Sequence, residues 1–208
     1  MELNACTPTL HIEHLDFHFP THSVFQGFKQ QFGPGVSWLR GANGAGKTTL
    51  LKLAGGALLP ARGAIRLDDI DSAHQPLAYR ARTFYCGGDA PALPWLQVRE
   101  FLDLHLALYP GSDEALLNDE LSAFALLPTL QQSINALSLG QHKKLQLALA
   151  LALPVRLLLI DEPFNGLDAA AMAYLRLRLS DPARLARQCI VLTSHLAPDV
   201  PLAATVEI

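Results

Sequence analysis

The sequence predicts an α/β protein with a mixed or parallel sheet at its core and an inserted helical subdomain. Short apolar runs, such as residues 36–39, 157–160 and 190–193, are typical of buried strands and alternate with helical segments. A helical pattern fills the middle of the chain, at about residues 90–150. The length of 208 residues suits one domain, so we expect residues 1–208 to form a single unit.

Strands dominate the predicted structure of the N-terminal part. Residues 10–19 have partly alternating apolar side chains and stop before Pro20, which is typical of a strand. Residues 25–32 carry three phenylalanines on a second extended or turn-rich segment. The other elements predicted here are short strands at residues 36–39, 64–67 and 83–86 and a helix at residues 47–54.

Helices dominate the predicted structure of the rest. Asp181 followed by Pro182 is typical of an N-cap and the first residue of a helix. The elements predicted here are helices at residues 99–108, 113–127 and 169–179, a helix beginning near residue 138, and strands at residues 157–161 and 190–193.

The composition excludes several classes of protein. Half of the residues (50%) are hydrophobic and 17% are charged, which argues against disorder, and the net charge of −3 gives no reason to expect nucleic acid. The apolar stretch at residues 145–160 is interrupted by Gln146, Pro154 and Arg156 and is too short to span a bilayer. Residues 1–14 lack the pattern of a secretory signal. We therefore expect a chain that uses part of an apolar surface to bind a partner.

Residues 41–48, GANGAGKT, match the phosphate-binding pattern GxxxxGK[ST] in full. Glycines allow main-chain N–H groups to surround phosphate oxygens, and the start of the following helix favours an anion. Lys47 is expected to reach the β- and γ-phosphates, and Thr48 to ligate Mg²⁺. The alternative is a glycine-rich surface turn. The residues expected to contact the nucleotide are Gly41, Ala42, Asn43, Gly44, Ala45, Gly46, Lys47, Thr48 and Thr49.

Two carboxylates follow an apolar run in residues 157–163, LLLIDEP. A buried strand of this kind places Asp161 and Glu162 at the carboxyl edge of a sheet, where ligands bind in open α/β folds. Asp161 is expected to support Mg²⁺, and Glu162 to orient and deprotonate an attacking water. The alternative is an ordinary strand end followed by a turn.

Three further motifs, in this order, resemble those of the ATP-binding cassette (ABC) family. Residues 137–141, LSLGQ, are similar to its signature LSGGQ; residues 165–168, NGLD, are similar to its D-loop; and residues 193–195, TSH, resemble its switch-histidine motif. The resemblance covers essentially the whole chain. It implies a P-loop NTPase of ABC type with an antiparallel β subdomain, which uses ATP and Mg²⁺.

The resemblance also implies roles for individual residues. His195 would act in catalysis, and Phe19 would stack on adenine, although it could instead be a core aromatic. Ser138, Gly140 and Gln141 would face the γ-phosphate of ATP held by an opposite subunit, in a homodimer or a heterodimer with a paralogue. Ser138 and Gln141 also form the sequence pattern of a plain capping box.

The sequence departs from the family pattern in two places. Leu139 stands where the signature usually has glycine, which resembles exporter-type cassettes. Gly88 or Asp89 stands where the family usually has glutamine after a strand. This departure affects the expected coupling of ATP hydrolysis to transport and the expected geometry of the metal site, but not the expected binding of ATP. Lys143 and Lys144 are most simply the solvated face of the signature helix.

The function implied is an ATPase that powers a separate transmembrane subunit, in export, from the cytoplasmic face of a bacterial inner membrane. The exporter-type cassettes that it resembles include the haem-exporter ATPases of cytochrome c maturation. We expect residues 91–96 to form a docking wall for the membrane subunit, or else a loop packed on the helices. We expect no regulatory domain after His195. The alternatives are a soluble ABC ATPase, for example in iron–sulphur cluster biogenesis, and a weakly hydrolysing nucleotide-binding regulator.

Overall fold

The computed structural model describes residues 7–88 and 93–208. Its strands are β1 (Leu10–Phe19), β2 (His22–Phe32), β3 (Gly35–Arg40), β4 (Arg62–Leu67), β5 (Ile70–Asp71), β6 (Thr83–Cys86), β7 (Leu157–Ile160), β8 (Cys189–Thr193) and β9 (Leu202–Glu207). Its α-helices are α1 (Lys47–Ala54), α2 (Pro76–Arg80), α3 (Val98–Leu108), α4 (Glu114–Ala123), α5 (Leu139–Ala152), α6 (Ala169–Leu179) and α7 (Pro182–Arg187).

The strands form two sheets. One has the order β6-β7-β8-β3-β9, and all of its neighbouring strands are parallel. The other has the order β2-β1-β4-β5 and is antiparallel. The predicted fold class, a mixed or parallel core sheet with an antiparallel β subdomain and added helices, is confirmed, and the core sheet is parallel. Because parallel strands end at one edge, β3, β7 and β8 deliver the segments that follow them to the same place.

The parallel sheet separates two hydrophobic cores. In β7, Leu158 and Ile160 lie in the core shared with helices α3 to α6, while Leu157 and Leu159 lie in the core shared with α1 and the antiparallel sheet. This follows from the alternation of side chains along a strand, and it explains why the strand is apolar at every position. In the described ranges, no helix combines the length and the hydropathy that a membrane span requires.

The prediction of one helix over residues 113–127 is wrong. Helix α4 stops at Ala123, and Ala125 takes a left-handed conformation with φ of 56°. The main-chain N–H of Leu126 then donates to the carbonyl of Leu121 at 2.8 Å, which closes the last turn. Glycine normally marks such an ending, and an alanine here gives no signal in the sequence. Strands β5 and β9 and helix α2 were not predicted either.

A buried carboxylate joins helix α4 to helix α6. Glu120 has no exposed surface, and it accepts hydrogen bonds from the Tyr174 hydroxyl at 2.9 Å and from Arg178 Nε at 2.8 Å. Burial, and then the contact with Glu120, raises the pKa of Tyr174 to about 12.

We expect the substitution Glu120→Ala to lower the free energy of unfolding by about 3–5 kcal/mol, because it leaves the Arg178 guanidinium without its buried partner. Urea denaturation measures the change. The matched control is Asp119→Ala at the neighbouring exposed position, where we expect a change within about 0.5 kcal/mol. Equal stability of the two variants would contradict this role for Glu120.

Candidate active site

The phosphate-binding pattern forms the loop between β3 and α1. Lys47 begins the helix and is 9% exposed, and its ammonium group donates to the carbonyls of Gly41 at 2.8 Å and Ala42 at 3.0 Å. The loop therefore curls around this ammonium group. No acidic residue lies in the first turn of α1, so the positive end of the helix is available to an anion.

Gly46 occupies a position in the phosphate loop where a residue with a side chain would be strained and would clash with β2. It is the N-cap of α1 with φ of 102°, in the left-handed region. A Cβ added there would lie 2.7 Å from Val24 Cγ1 on β2. The close contact places the antiparallel sheet against the phosphate loop, and it explains why the loop needs glycine at this point.

Thr48 meets the acidic motif through a chain of hydrogen bonds. Its hydroxyl donates to Asp161 Oδ2 at 2.6 Å, and the Thr193 hydroxyl donates to Asp161 Oδ1 at 2.6 Å. Asp161 follows β7 and Thr193 ends β8, so the parallel sheet sets this geometry. Oxygen donors of this kind are the ligands that Mg²⁺ prefers, and the pair Thr48 and Asp161 therefore fits the ion.

Glu162 and His195 lie together. His195 Nε2 is 3.5 Å from Glu162 Oε1, and the main-chain N–H of His195 donates to Glu162 Oε2 at 3.3 Å. Oε1 is buried and accepts no hydrogen bond from any group in the described part of the chain. The Glu162 side chain as a whole is 22% exposed, so its carboxylate can be reached by a small molecule such as water. Trp38 Nε1 donates to the carbonyl of Ser194 at 3.1 Å and fixes the segment that carries His195.

A cavity of about 850 Å³ brings most of the predicted residues together. Predicted site residues that line it are Phe19, Asn43, Gly44, Gly46, Lys47, Thr48, Thr49, Gly140, Asp161, Glu162 and His195. Predicted site residues outside the lining are Gly41, Ala42, Ala45, Ser138 and Gln141. His22 and Val24 of β2 and Lys143 of α5 also line the cavity, and no motif in the sequence marks them as site residues.

The signature motif starts helix α5. The N–H of Gln141 donates to Ser138 Oγ at 3.2 Å and the N–H of Ser138 donates to Gln141 Oε1 at 2.9 Å, so the capping box is confirmed. Leu139 is 92% exposed. A Cβ added at Gly140 would lie 3.2 Å from the carbonyl of Gly166, which places the signature beside the D-loop residues. The contact of Ser138, Gly140 and Gln141 with a phosphate stays a prediction.

The interpretation of Lys143 and Lys144 as a solvated face is wrong. Lys143 Nζ donates to the main-chain carbonyl of Asp161 at 3.0 Å, and Lys144 pairs with the carboxylate of Asp168. The N–H of Ala171 and then this ammonium group lower the pKa of Asp168. These contacts depend on how α5 packs over the end of β7, which a lysine pair in the sequence does not signal.

Phe19 ends β1 and is 37% exposed. Its ring lies edge-on to Phe17, with centroids 5.1 Å apart, and 5.4 Å from the ring of His22. It is therefore a partly exposed aromatic at the cavity and not a core residue; its contact with adenine stays a prediction.

Gly88, one candidate for the missing glutamine, also lines the cavity, and the other, Asp89, lies outside the described residues.

Comparisons with known proteins agree with this geometry. A family model described as "ABC transporter" matches residues 33–165. The "Cytochrome c biogenesis ATP-binding export protein CcmA" of Methylococcus capsulatus is 36% identical over 181 residues, which cover 85% of this chain and 86% of the relative. The protein of the same description from Paramagnetospirillum magneticum is 35% identical, covering 84% of this chain and 81% of the relative.

Solved structures show the same fold. One described as "Structure of ATP binding subunit of ABC transporter" has a TM-score of 0.82 and 29% identity, and the match covers 90% of this chain and 79% of that one. Another, described as "Dimeric Structure of MJ0796, a Bacterial ABC Transporter Cassette", has a TM-score of 0.76 and 19% identity over 90% of this chain and 88% of that one.

Proposed function

The chain belongs to the ABC transporter family and is an ATPase of the ABC type, and from that premise we propose that it drives export through a separate membrane subunit. One observation carries the proposal for the site: hydrogen bonds join Thr48, Asp161 and Thr193 next to Glu162. The terminal phosphate of ATP would lie beside these side chains.

ATP would enter the cavity with its phosphates against the loop at residues 41–48. Lys47 would leave the loop carbonyls for the phosphate oxygens and balance their charge. Phe19, at the exposed end of β1, would offer a ring face to adenine. Thr48 and Asp161 would hold Mg²⁺, which supplies positive charge to the phosphates when it is bound.

Hydrolysis needs a water whose oxygen attacks the γ-phosphorus while the bond to the β–γ bridging oxygen breaks, which gives ADP and inorganic phosphate. The Glu162 carboxylate, which lines the cavity, would accept the proton that this water loses. His195 Nε2, 3.5 Å from Oε1 of this carboxylate, would stabilise the carboxylate and the charge that develops beside it. The chain itself would therefore supply the base and its orientation.

A second cassette would complete the site. The signature N-terminus at Ser138 is capped by its own box, and Leu139 beside it projects into solvent. Such an exposed helix start suits the γ-phosphate of ATP on another copy or a paralogue. Binding of two ATP molecules would close the pair, and hydrolysis would reopen it, so that the membrane subunit moves.

Export is supported by Leu139 in the signature and by the names of the two CcmA relatives, which are described as export proteins. A subunit of this kind would sit on the cytoplasmic face of the membrane, held there by its partner. Its contact surface would be the predicted docking wall at residues 91–96, of which the structure describes residues 93–96. Leu93 and Leu96 pack on the helical core, whereas Trp95 is 74% exposed.

We expect Trp95→Ala to weaken association with the membrane subunit about 30-fold, because an exposed tryptophan at the centre of an interface typically contributes 2 kcal/mol or more. Binding of the purified variant to membranes that contain the subunit measures the change, and the ATPase rate of the chain alone should not move. The matched control is Leu77→Ala, an 82% exposed side chain on α2.

Unchanged binding of Trp95→Ala, or an equal loss with Leu77→Ala, would show that the docking surface lies elsewhere. Cellular content of c-type cytochromes gives a second readout, since both relatives are described as cytochrome c biogenesis proteins.

A further inference from the structure

The peptide group between Asp161 and Glu162 is held at both of its polar atoms by side chains from other elements. The main-chain N–H of Glu162 donates to the Thr193 hydroxyl at 2.9 Å, and the carbonyl of Asp161 accepts from Lys143 Nζ at 3.0 Å. This one peptide group lies between the two carboxylates of the active site. Its rotation would turn both of them.

We propose that Lys143 is a positioning residue of the ATPase site, which fixes this peptide group and thereby the direction of the Glu162 carboxylate. The inference rests on the proposed role of Glu162 as the base. Lys143 lines the cavity, but its ammonium group donates to the carbonyl of Asp161, so it would act through the main chain and not on the reacting atoms.

The backbone conformation at Glu162 explains why the peptide group needs a second hydrogen bond to keep its orientation. Its φ is 48°, in the left-handed region that side-chain-bearing residues rarely adopt. A residue in that region keeps its conformation only where the surroundings determine it. Thr193 supplies one restraint from β8, and the ammonium group of Lys143 supplies the other from α5. A donor with a full charge makes the stronger kind of hydrogen bond to a carbonyl.

Helix α5 holds Lys143 in place. The neighbouring Lys144 pairs with Asp168, whose carboxylate also caps α6 through the N–H of Ala171. The two lysines therefore attach the start of α5 to the segment after β7, Lys143 at Asp161 and Lys144 at Asp168. The same helix start carries the signature motif, so a shift of α5 toward a partner cassette would reach the Asp161–Glu162 peptide group through Lys143.

The test compares Lys143→Met, Lys143→Gln and Lys143→Arg with the wild-type chain, in steady-state ATP hydrolysis and in binding of a fluorescent ATP analogue. Methionine keeps the apolar stem without a donor, glutamine keeps a neutral donor, and arginine keeps a charged one. We expect kcat to fall about tenfold in the Met variant, less in Gln and least in Arg, on the scale of one charge-assisted hydrogen bond. The Kd for the analogue should stay within about twofold of the wild-type value in each variant.

The matched control is Lys29→Met, an exposed lysine on β2 that should leave both quantities unchanged. A wild-type kcat in Lys143→Met would overturn the proposal, as would a parallel loss of kcat and analogue binding, or a melting temperature more than about 10 °C lower, which would assign the residue to stability. A wild-type chain that binds ATP without hydrolysing it in any complex would instead contradict the proposed function.

Discussion

Glu162→Gln is expected to lower kcat for ATP hydrolysis about 1000-fold while the affinity for ATP stays within about threefold, because a general base contributes 10²- to 10⁴-fold to a rate. Glutamine has nearly the same shape, and it can keep the contact with the main-chain N–H of His195. It cannot take a proton from water. The nucleotide recovered from the variant after incubation with ATP and Mg²⁺ should therefore be ATP, whereas the wild-type chain should yield ADP.

The matched control for this prediction is Glu207→Gln, at an exposed position on β9, where the rate should not change. A Glu162→Gln variant that hydrolyses ATP at the wild-type rate would show that another group deprotonates the water. Loss of ATP binding together with hydrolysis would show that the side chain holds the nucleotide and is not the base.

Lys47→Met is expected to weaken ATP binding about 100-fold, because the charge-assisted hydrogen bonds of one buried ammonium group to the phosphates are lost. Equilibrium binding of ATP, measured by calorimetry, gives the change. Lys47 is 9% exposed at the start of α1, so the methionine stem fits the same space. ADP should lose less affinity than ATP, since it lacks the γ-phosphate.

Lys29→Met serves as the control here as well, and it should bind ATP with wild-type affinity. Thermal melting without nucleotide checks that the loop still folds once its carbonyl contacts to Lys47 are gone. Wild-type affinity in Lys47→Met would place the phosphates away from the loop at residues 41–48 and would remove the basis of the proposed site.

The sequence determines the centre of the site because its signals are local. Residues 41–48 carry glycines at positions 41, 44 and 46 for the loop, and residues 157–162 carry an apolar strand directly before two carboxylates. Parallel pairing of β3, β7 and β8 then brings Thr48, Asp161 and Thr193 together. That pairing follows from the alternation of strands and helices, so the sequence predicts it.

What the sequence could not predict depends on packing between distant segments. Lys143 looks like a solvated lysine until α5 is placed over the end of β7, where it meets the carbonyl of Asp161. The end of α4 at Ala125 is hidden because an alanine adopts the conformation of a glycine. Strand β9 is largely exposed at the edge of its sheet, so its side chains lack the apolar run of a buried strand.

The proposed function requires that this ATP site drives a separate membrane subunit. Its most direct test is phosphate release by the tagged chain purified from membranes together with whatever integral membrane protein it holds, for the wild type and for Glu162→Gln. We expect a protein with several membrane spans to copurify with both, and only the wild-type complex to release phosphate above background. Copurification with soluble proteins alone, or equal phosphate release by the two complexes, would contradict it.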